Sequence, residues 1–381
     1  MSDSPAIILH VGAPTCGTRA LQRALSAAPL LTTDSGTLAY TVPRPRGGAV
    51  LSGRALRTAA ARDVRGRLGW PDPEGAETGL FEQIDRVRRK PPGGVPLASN
   101  PGWIGQADRF AEALPQWFTE DSPPVEICAF ARPPLDWLNA AYWEWGVWSG
   151  RGFGAWLAQM GMPYTLGAAL SRWAALPGTD LKLGLTDDVL TAFEGAYGTT
   201  LPRPARGTDG ALPPALLGFL LRNRRYRADA TDIAAEEVFR RWCHVEDAPR
   251  PWAVLPRHLS ALREATGGDL DRLFALIPEA EAESLRARDP RWTVSADPYE
   301  TLFLRGRAPL DDPEELAQLY RALVRGVGTV AEAAGKPVPP LQPVLATRAS
   351  VHTWDVAVAR ALEHLVLLDT AQRRGRRVFG L

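Results

Sequence analysis

Residues 6–12, AIILHVG, are a continuous apolar run with β-branched side chains, closed by glycine, as in a strand buried on both faces of a parallel sheet. GTRALQRALSAA follows, with Leu21 and Leu25 one helical turn apart, so a strand, a tight loop and a helix succeed one another. VPLAS at 95–99, VEICAFA at 125–131 and LKLGL at 181–185 are further strand candidates. Between them lie helical patterns: amphipathic ADRFAEALPQWF, aromatic-rich LDWLNAAYWEWGVW, and stretches at about 166–175 and 187–197. Gly, Pro and Arg dominate residues 34–75, which read as a loop-rich excursion with one helix near 54–66; a second helix, about 77–90, ends before KPPGG. From about 212 the periodicity is helical, near 212–226, 231–245, 256–288, 312–334 and 351–373, with prolines between several of these stretches. RRGRRVFG at the C-terminus reads as a solvated basic tail.

Strands alternating with helices predict an α/β fold: a parallel sheet of about five strands flanked by helices, with a helical C-terminal portion. The expected division is residues 1–200 as the α/β core and 201–381 as a helical portion packing on it. A chain of 381 residues with 45% hydrophobic content is large enough for such a core.

Charge narrows the function. A net charge of +1 removes a global electrostatic case for nucleic acid or an acidic membrane surface, so any anion site must be local. Nearly all the basic residues are Arg; the lysines are Lys90, Lys182 and Lys336, none beside the first loop. That skew, with abundant Ala, Gly and Pro, is typical of a GC-rich bacterial genome. Cys16, Cys128 and Cys243 are odd in number and lack metal-ligand spacing, so neither a disulfide framework nor structural zinc is expected. With no basic stretch leading into an apolar signal, the chain reads as cytoplasmic.

Chemistry concentrates at the first loop. Gly12 and Gly17 have the spacing of a phosphate-cradling GxxxxG, but Thr18 and Arg19 stand where a triphosphate loop carries Lys and Ser/Thr. Gly12 closes a strand and Gly17 opens a helix, so the amides between them and the first helical N–H groups can converge on an anion. Thr15, Thr18 and the Cys16 thiol add weak donors; the alternative reading is a plain strand-to-helix turn.

HVGAPTCGTRALQ resembles the loop that binds the 5′-phosphosulfate in sulfotransferases dependent on 3′-phosphoadenylyl sulfate (PAPS), whose bacterial members run roughly His-hydrophobic-Gly-x-x-Lys-Thr-Gly-Thr-Thr-x-Leu-Gln. His10, Gly12, Gly17, Thr18, Leu21 and Gln22 match. FARPPLDWLNAAYWEWG resembles the family's 3′-phosphate site, an Arg at a strand end and a Ser eight residues on; Arg132 matches the Arg. Weaker echoes are LASNPGW, RWAALPGTDLKLGL and DDVLTAFEGAYG, and the resemblance covers about the first 200 residues.

The resemblance implies a P-loop-type sheet with PAPS, or its product 3′,5′-bisphosphoadenosine (PAP), held by Gly12, Ala13, Pro14, Thr15, Cys16, Gly17, Thr18, Arg19, Arg132 and the position of Ala140, without a metal. It implies sulfuryl transfer to a hydroxyl or amine of a small molecule or glycan. Three positions depart from it: the loop lysine is Thr15, the 3′-phosphate serine is Ala140, and Pro101 stands where many relatives have a glutamate. Arg19, in the first helical turn, is a candidate replacement cation. These departures keep open a catalytically degenerate binding or interaction protein. His10 is expected to be structural, Asp34 and Asp136 are acid-base candidates only by proximity, and no catalytic base is assigned. Neither the acceptor nor the oligomeric state follows from the sequence.

Overall fold

The computed structural model describes residues 5–44, 49–63, 65–72, 79–160, 164–203, 211–306, 309–346 and 348–378, the last four of these in backbone only. Most of the expected basic tail forms the end of the last helix, Val351–Val378, and only its final residues lie outside them, as do the first residues of the helix expected from 77. Among the described residues eight strands occur: β1 Ile7–Gly12, β2 Leu30–Thr33, β3 Gly36–Tyr40, the two-residue β4 Val42–Pro43 and β5 Val50–Leu51, β6 Val95–Ser99, β7 Val125–Ala131 and β8 Thr179–Leu185. Six form one sheet in the order β2-β3-β6-β1-β7-β8, parallel throughout except for the β2–β3 hairpin. By rank along the chain, the five parallel strands lie 2-3-1-4-5, so β1 is central and the strand order reverses beside it.

The six-strand sheet exceeds the expected five because β3 lies in the stretch read as loop-rich and β2 in the unassigned residues just before it. Leu31 and Thr33 alternate with exposed neighbours along β2, and Gly36 closes the turn with φ 134°. That alternation is short and one-sided, which is how an edge hairpin differs from the central strands. All residues of β1 and β7 are buried. Ile8 packs with Leu21 and Leu25 of α1 (Thr18–Ala27), and with Val189 and Phe193 of α8 (Val189–Tyr197). Ile7, Leu9 and Val11 point to the other face by strand alternation and are equally buried, so helices cover the sheet on both sides.

The remaining helices follow the hydrophobic periodicity. They are α2 Gly53–Arg62, α3 Leu80–Arg89, α4 Ala107–Ala113, α5 Pro134–Glu144, α6 Phe153–Met160, α7 Leu166–Ala174, α9 Pro214–Arg222, α10 Ala234–Trp242, α11 Leu259–Phe274, α12 Glu279–Arg288, α13 Glu300–Arg305, α14 Pro313–Ala333 and α15 Val351–Val378. The stretch expected as one helix over 256–288 is two, α11 and α12. Pro278 between them has no N–H to continue the hydrogen-bond ladder. No described helix is long and apolar enough to cross a membrane.

A division at residue 200 was the expectation; contacts instead group the chain into two interleaved units. The first comprises Met1–Leu138, Leu157–Pro204 and Pro256–Glu300, and holds the sheet. The second comprises Asn139–Trp156, Ala205–Leu255 and Thr301–Leu381, and is helical among its described residues. Residues 256–300, read from sequence as part of the helical portion, belong with the sheet for an identifiable reason. Asp269 of α11 accepts the main-chain N–H of Gly167 and of Ala168, both at 2.8 Å, capping the start of α7. Gly167 permits this approach, since a Cβ there would lie 2.2 Å from the Asp269 carbonyl oxygen.

Because Asp269 is buried and serves two otherwise unpaired amides, Asp269→Ala is expected to destabilise the protein by about 2–3 kcal/mol in denaturant unfolding. A loss below about 0.5 kcal/mol, the range of surface substitutions, would show that α11 is held by its apolar face alone.

Candidate functional site

The loop between β1 and α1 is shaped by both of its glycines. Gly12 (φ 133°) sits where a Cβ would lie 2.9 Å from the Pro101 carbonyl oxygen, and Gly17 (φ 82°) where it would lie 2.5 Å from a Val189 methyl. Only glycine gives both the backbone angle and the clearance. A register shift in β1 between His10 and Gly12 gives it one more residue than β7 over this stretch, a bulge that re-aims the chain just before the loop. The Ala13 N–H donates to the Phe130 carbonyl at 2.8 Å, pinning the loop to the carboxyl end of β7. Thr18 Oγ1 donates to the Ala13 carbonyl, and Trp137 Nε1 of α5 donates to the Pro14 carbonyl at 2.9 Å.

What these bonds leave over is a set of donors. Cys16 N–H turns back onto the Ala13 carbonyl, and Pro14 has no N–H. Among the described residues, no acceptor meets the N–H of Thr15, Gly17 or Thr18. α1 has no side-chain cap and no acidic residue in its first turn, whereas α8 is capped by Asp188, which accepts from Thr191 N–H. Thr15 Oγ1 is buried with no hydrogen-bond partner. Thr15 has φ 59°, a left-handed conformation that costs a β-branched residue about 1–3 kcal/mol and clusters at functional sites. Arg19 is half-buried in the first turn of α1.

Arg132 follows β7 directly, before Pro133 and Pro134 end the strand and start α5. Through Trp137, whose indole N–H holds the Pro14 carbonyl, the second predicted segment meets the first. Arg132 Nε is buried without a hydrogen bond, 3.8 Å from Asp187 Oδ1. Burial pushes the Cys16 thiol up to about 12 against the pull of Arg132, so at neutral pH it is a protonated thiol and not a nucleophile.

The motif residues flanking the loop are structural. His10 Nδ1 shares a 2.7 Å hydrogen bond with Ser99 Oγ, which also accepts from Gln22 Nε2 at 3.2 Å. One serine of β6 thus ties the strand before the loop to the helix after it. Burial holds the imidazole down at about 4, so it is neutral and fixed in place.

The other expected positions sit in local surroundings of their own. Ala140, further along α5 among the residues of the second unit, is half-buried and has no polar side-chain atom. Its neighbour Asn139 is spent within the second unit: Nδ2 donates to the Pro251 carbonyl, and Oδ1 accepts from Ala253 N–H and Trp143 Nε1. Pro101 stands against Gly12 and begins a 3-10 turn, with no acid-base group. Asp34 lies in the β2–β3 turn beside Gly198. Trp143, Trp148 and Trp156 are buried among aromatic and Arg side chains of the second unit.

Asp136 joins a group that sequence reading missed. Tyr299 OH donates to Asp136 Oδ2 at 2.6 Å, Arg291 lies 3.9 Å from the same oxygen, and Arg291 also pairs with Asp187 and Asp289. Side-chain hydrogen bonds to Asp289, with the charge of Asp187, raise the pKa of Arg291 still further. Asp187 was legible only as half of an Asp-Asp pair after a strand, of which one member caps a helix and the other is spare. Among the described residues no group of His, Cys, Asp or Glu is placed to hold a metal ion. Compared with known proteins, the chain matches no family model, no curated protein and no solved structure.

The buried neutral imidazole sets a pH dependence. The unfolded chain takes up a proton near the ordinary pKa of 6.5 while His10 resists until about 4, so its contribution to stability is full above 6.5 and is lost as pH falls toward 4. Between pH 7 and pH 5 the melting temperature of the native protein is expected to fall further than that of His10→Asn. Parallel declines would mean that His10 is solvated and free to titrate.

Proposed function

We propose that this chain is a sulfotransferase-type protein that holds PAPS with its 5′-phosphosulfate in the loop from Gly12 to Arg19 and its 3′-phosphate on Arg132. It moves the sulfuryl group to a hydroxyl or amine of a small molecule or glycan. The carrying observation is the pairing of two buried donors that make no hydrogen bond, Thr15 Oγ1 and Arg132 Nε, with the uncapped start of α1. The strand order agrees with the reading: ligands in open α/β sheets sit at the carboxyl ends of the strands where the order reverses, and Gly12 and Arg132 both lie there.

In such a transfer the acceptor oxygen or nitrogen attacks sulfur in line. The bond from sulfur to the bridging oxygen breaks, that oxygen takes up negative charge, PAP departs, and the acceptor's proton is released. The free N–H groups of Thr15, Gly17 and Thr18 are the donors available for that charge, with the Thr15 hydroxyl in place of the resembling family's lysine. Neutral donors stabilise developing charge less than a cation does.

A second reading is a protein that binds the nucleotide without transferring sulfuryl. It is favoured by the fixed, neutral state of His10 and by Pro101, which leave no acid-base group where the loop meets β6. Titration with PAP, ATP and free sulfate, followed by tryptophan fluorescence or melting temperature, tests the shared core of both. Selective stabilisation by PAP is expected, and silence toward all three would sink it. Thr15→Lys is expected to tighten PAP binding about tenfold, through one added charge-assisted contact worth roughly 1.4 kcal/mol. PAP release from PAPS over a panel of phenols, amines and glycans then separates the readings, since tight binding without turnover selects the second.

A further inference from the structure

Beside Arg132 the protein carries its own anion, which a bound phosphate must contend with. Asp187 Oδ1 stops 3.8 Å from Arg132 Nε, beyond hydrogen-bonding distance, although a carboxylate and a guanidinium this close normally settle at about 2.7–2.9 Å. Its other oxygen, Oδ2, accepts from Arg291 Nη1 at 2.5 Å. Arg291 is itself held by Asp289, which takes Nε at 2.9 Å and Nη2 at 2.7 Å, and also accepts the main-chain N–H of Arg291 at 3.1 Å. With that fork engaged, Nη1 is the nitrogen left to meet Asp187.

We propose that Arg291 is a positioning residue that holds Asp187 off Arg132 and so keeps the Arg132 guanidinium open to an incoming phosphate. The inference rests on the reading that Arg132 receives an anion. Asp187 follows β8 by two residues and is held by no other hydrogen bond among the described residues, so a small side-chain rotation without Arg291 closes the gap to Arg132. The pair then formed would lie in a partly buried setting, where Arg132 is only 18% exposed and solvent screens it poorly. When a phosphate arrives in the native protein, Asp187 stays on Arg291 and its charge remains compensated. Asp136, a further carboxylate beside Arg291, is engaged by Tyr299 OH and lies 3.9 Å from Arg291.

Two readouts test this, one with nucleotide and one without. PAP affinity is measured by titration, and accessibility of Arg132 by its rate of phenylglyoxal labelling, read by peptide mass spectrometry on the ligand-free protein. Arg291→Met is expected to weaken PAP binding by about tenfold or more and to slow labelling of Arg132, because Asp187 collapses onto it. Adding Asp187→Asn in the Arg291→Met/Asp187→Asn double variant is expected to restore both, which a merely structural role for Arg291 would not produce. The proposal is overturned if Arg291→Met leaves the labelling rate of Arg132 unchanged, or if the double variant labels as slowly as the single one. If the native protein ignores PAP while labelling follows the expected pattern, the proposed function falls and the positioning role stands.

Discussion

Ser99 Oγ is the smallest group on which the site depends. It stands at the carboxyl end of β6, shares a hydrogen bond with His10 of β1 and accepts another from Gln22 of α1. The strand before the loop and the helix after it are therefore tied to one atom of a third element. The distance the loop must span is set by that tie, and the bulge in β1 together with the two positive-φ glycines is how the backbone spans it. His10 must be neutral and buried to take part, so the residue that looks most chemical in the motif is the one least able to move a proton.

The same constraint explains the pattern of used and unused donors. A loop pinned at Ala13 by β7, at Pro14 by Trp137 and at Gly17 by Val189 cannot rearrange to satisfy its own amides. The N–H groups of Thr15, Gly17 and Thr18 stay unmet, and the start of α1 keeps its partial positive charge. Unmet amides at a helix start favour negative charge. The guanidiniums nearby are already committed in part to carboxylates, so electrostatics around Arg132 are set by a balance of paired charges and not by a simple excess of positive ones.

Local signals carried most of the fold and about half of the site. The buried central strands announced themselves as apolar runs, and the helices of the C-terminal region as 3.6-residue periodicities. The β2–β3 hairpin was hidden because its alternation spans a few residues at the edge of a Gly-, Pro- and Arg-rich segment. At the site, the loop and Arg132 were legible because each lies at a strand end with a proline or glycine marking the break. Ser99, Asp187 and Arg291 were not: Arg291 and Asp187 are 104 residues apart, and nothing in either neighbourhood names the other. The capping of α7 by Asp269 is of the same kind, and it is what moves residues 256–300 from the expected helical portion into the sheet unit.

The chain passes between its two units at residues 138, 156, 204, 255 and 300. During synthesis, therefore, the sheet can assemble from its first two segments, yet its unit is complete only when residue 300 has left the ribosome. Over that interval α7 lacks its cap and the apolar face that α11 covers is bare, a nascent intermediate suited to chaperone capture. The interleaving also bears on inheritance: no single contiguous cut removes either unit whole, so recombination cannot pass the complete sheet unit to another gene without residues of the second.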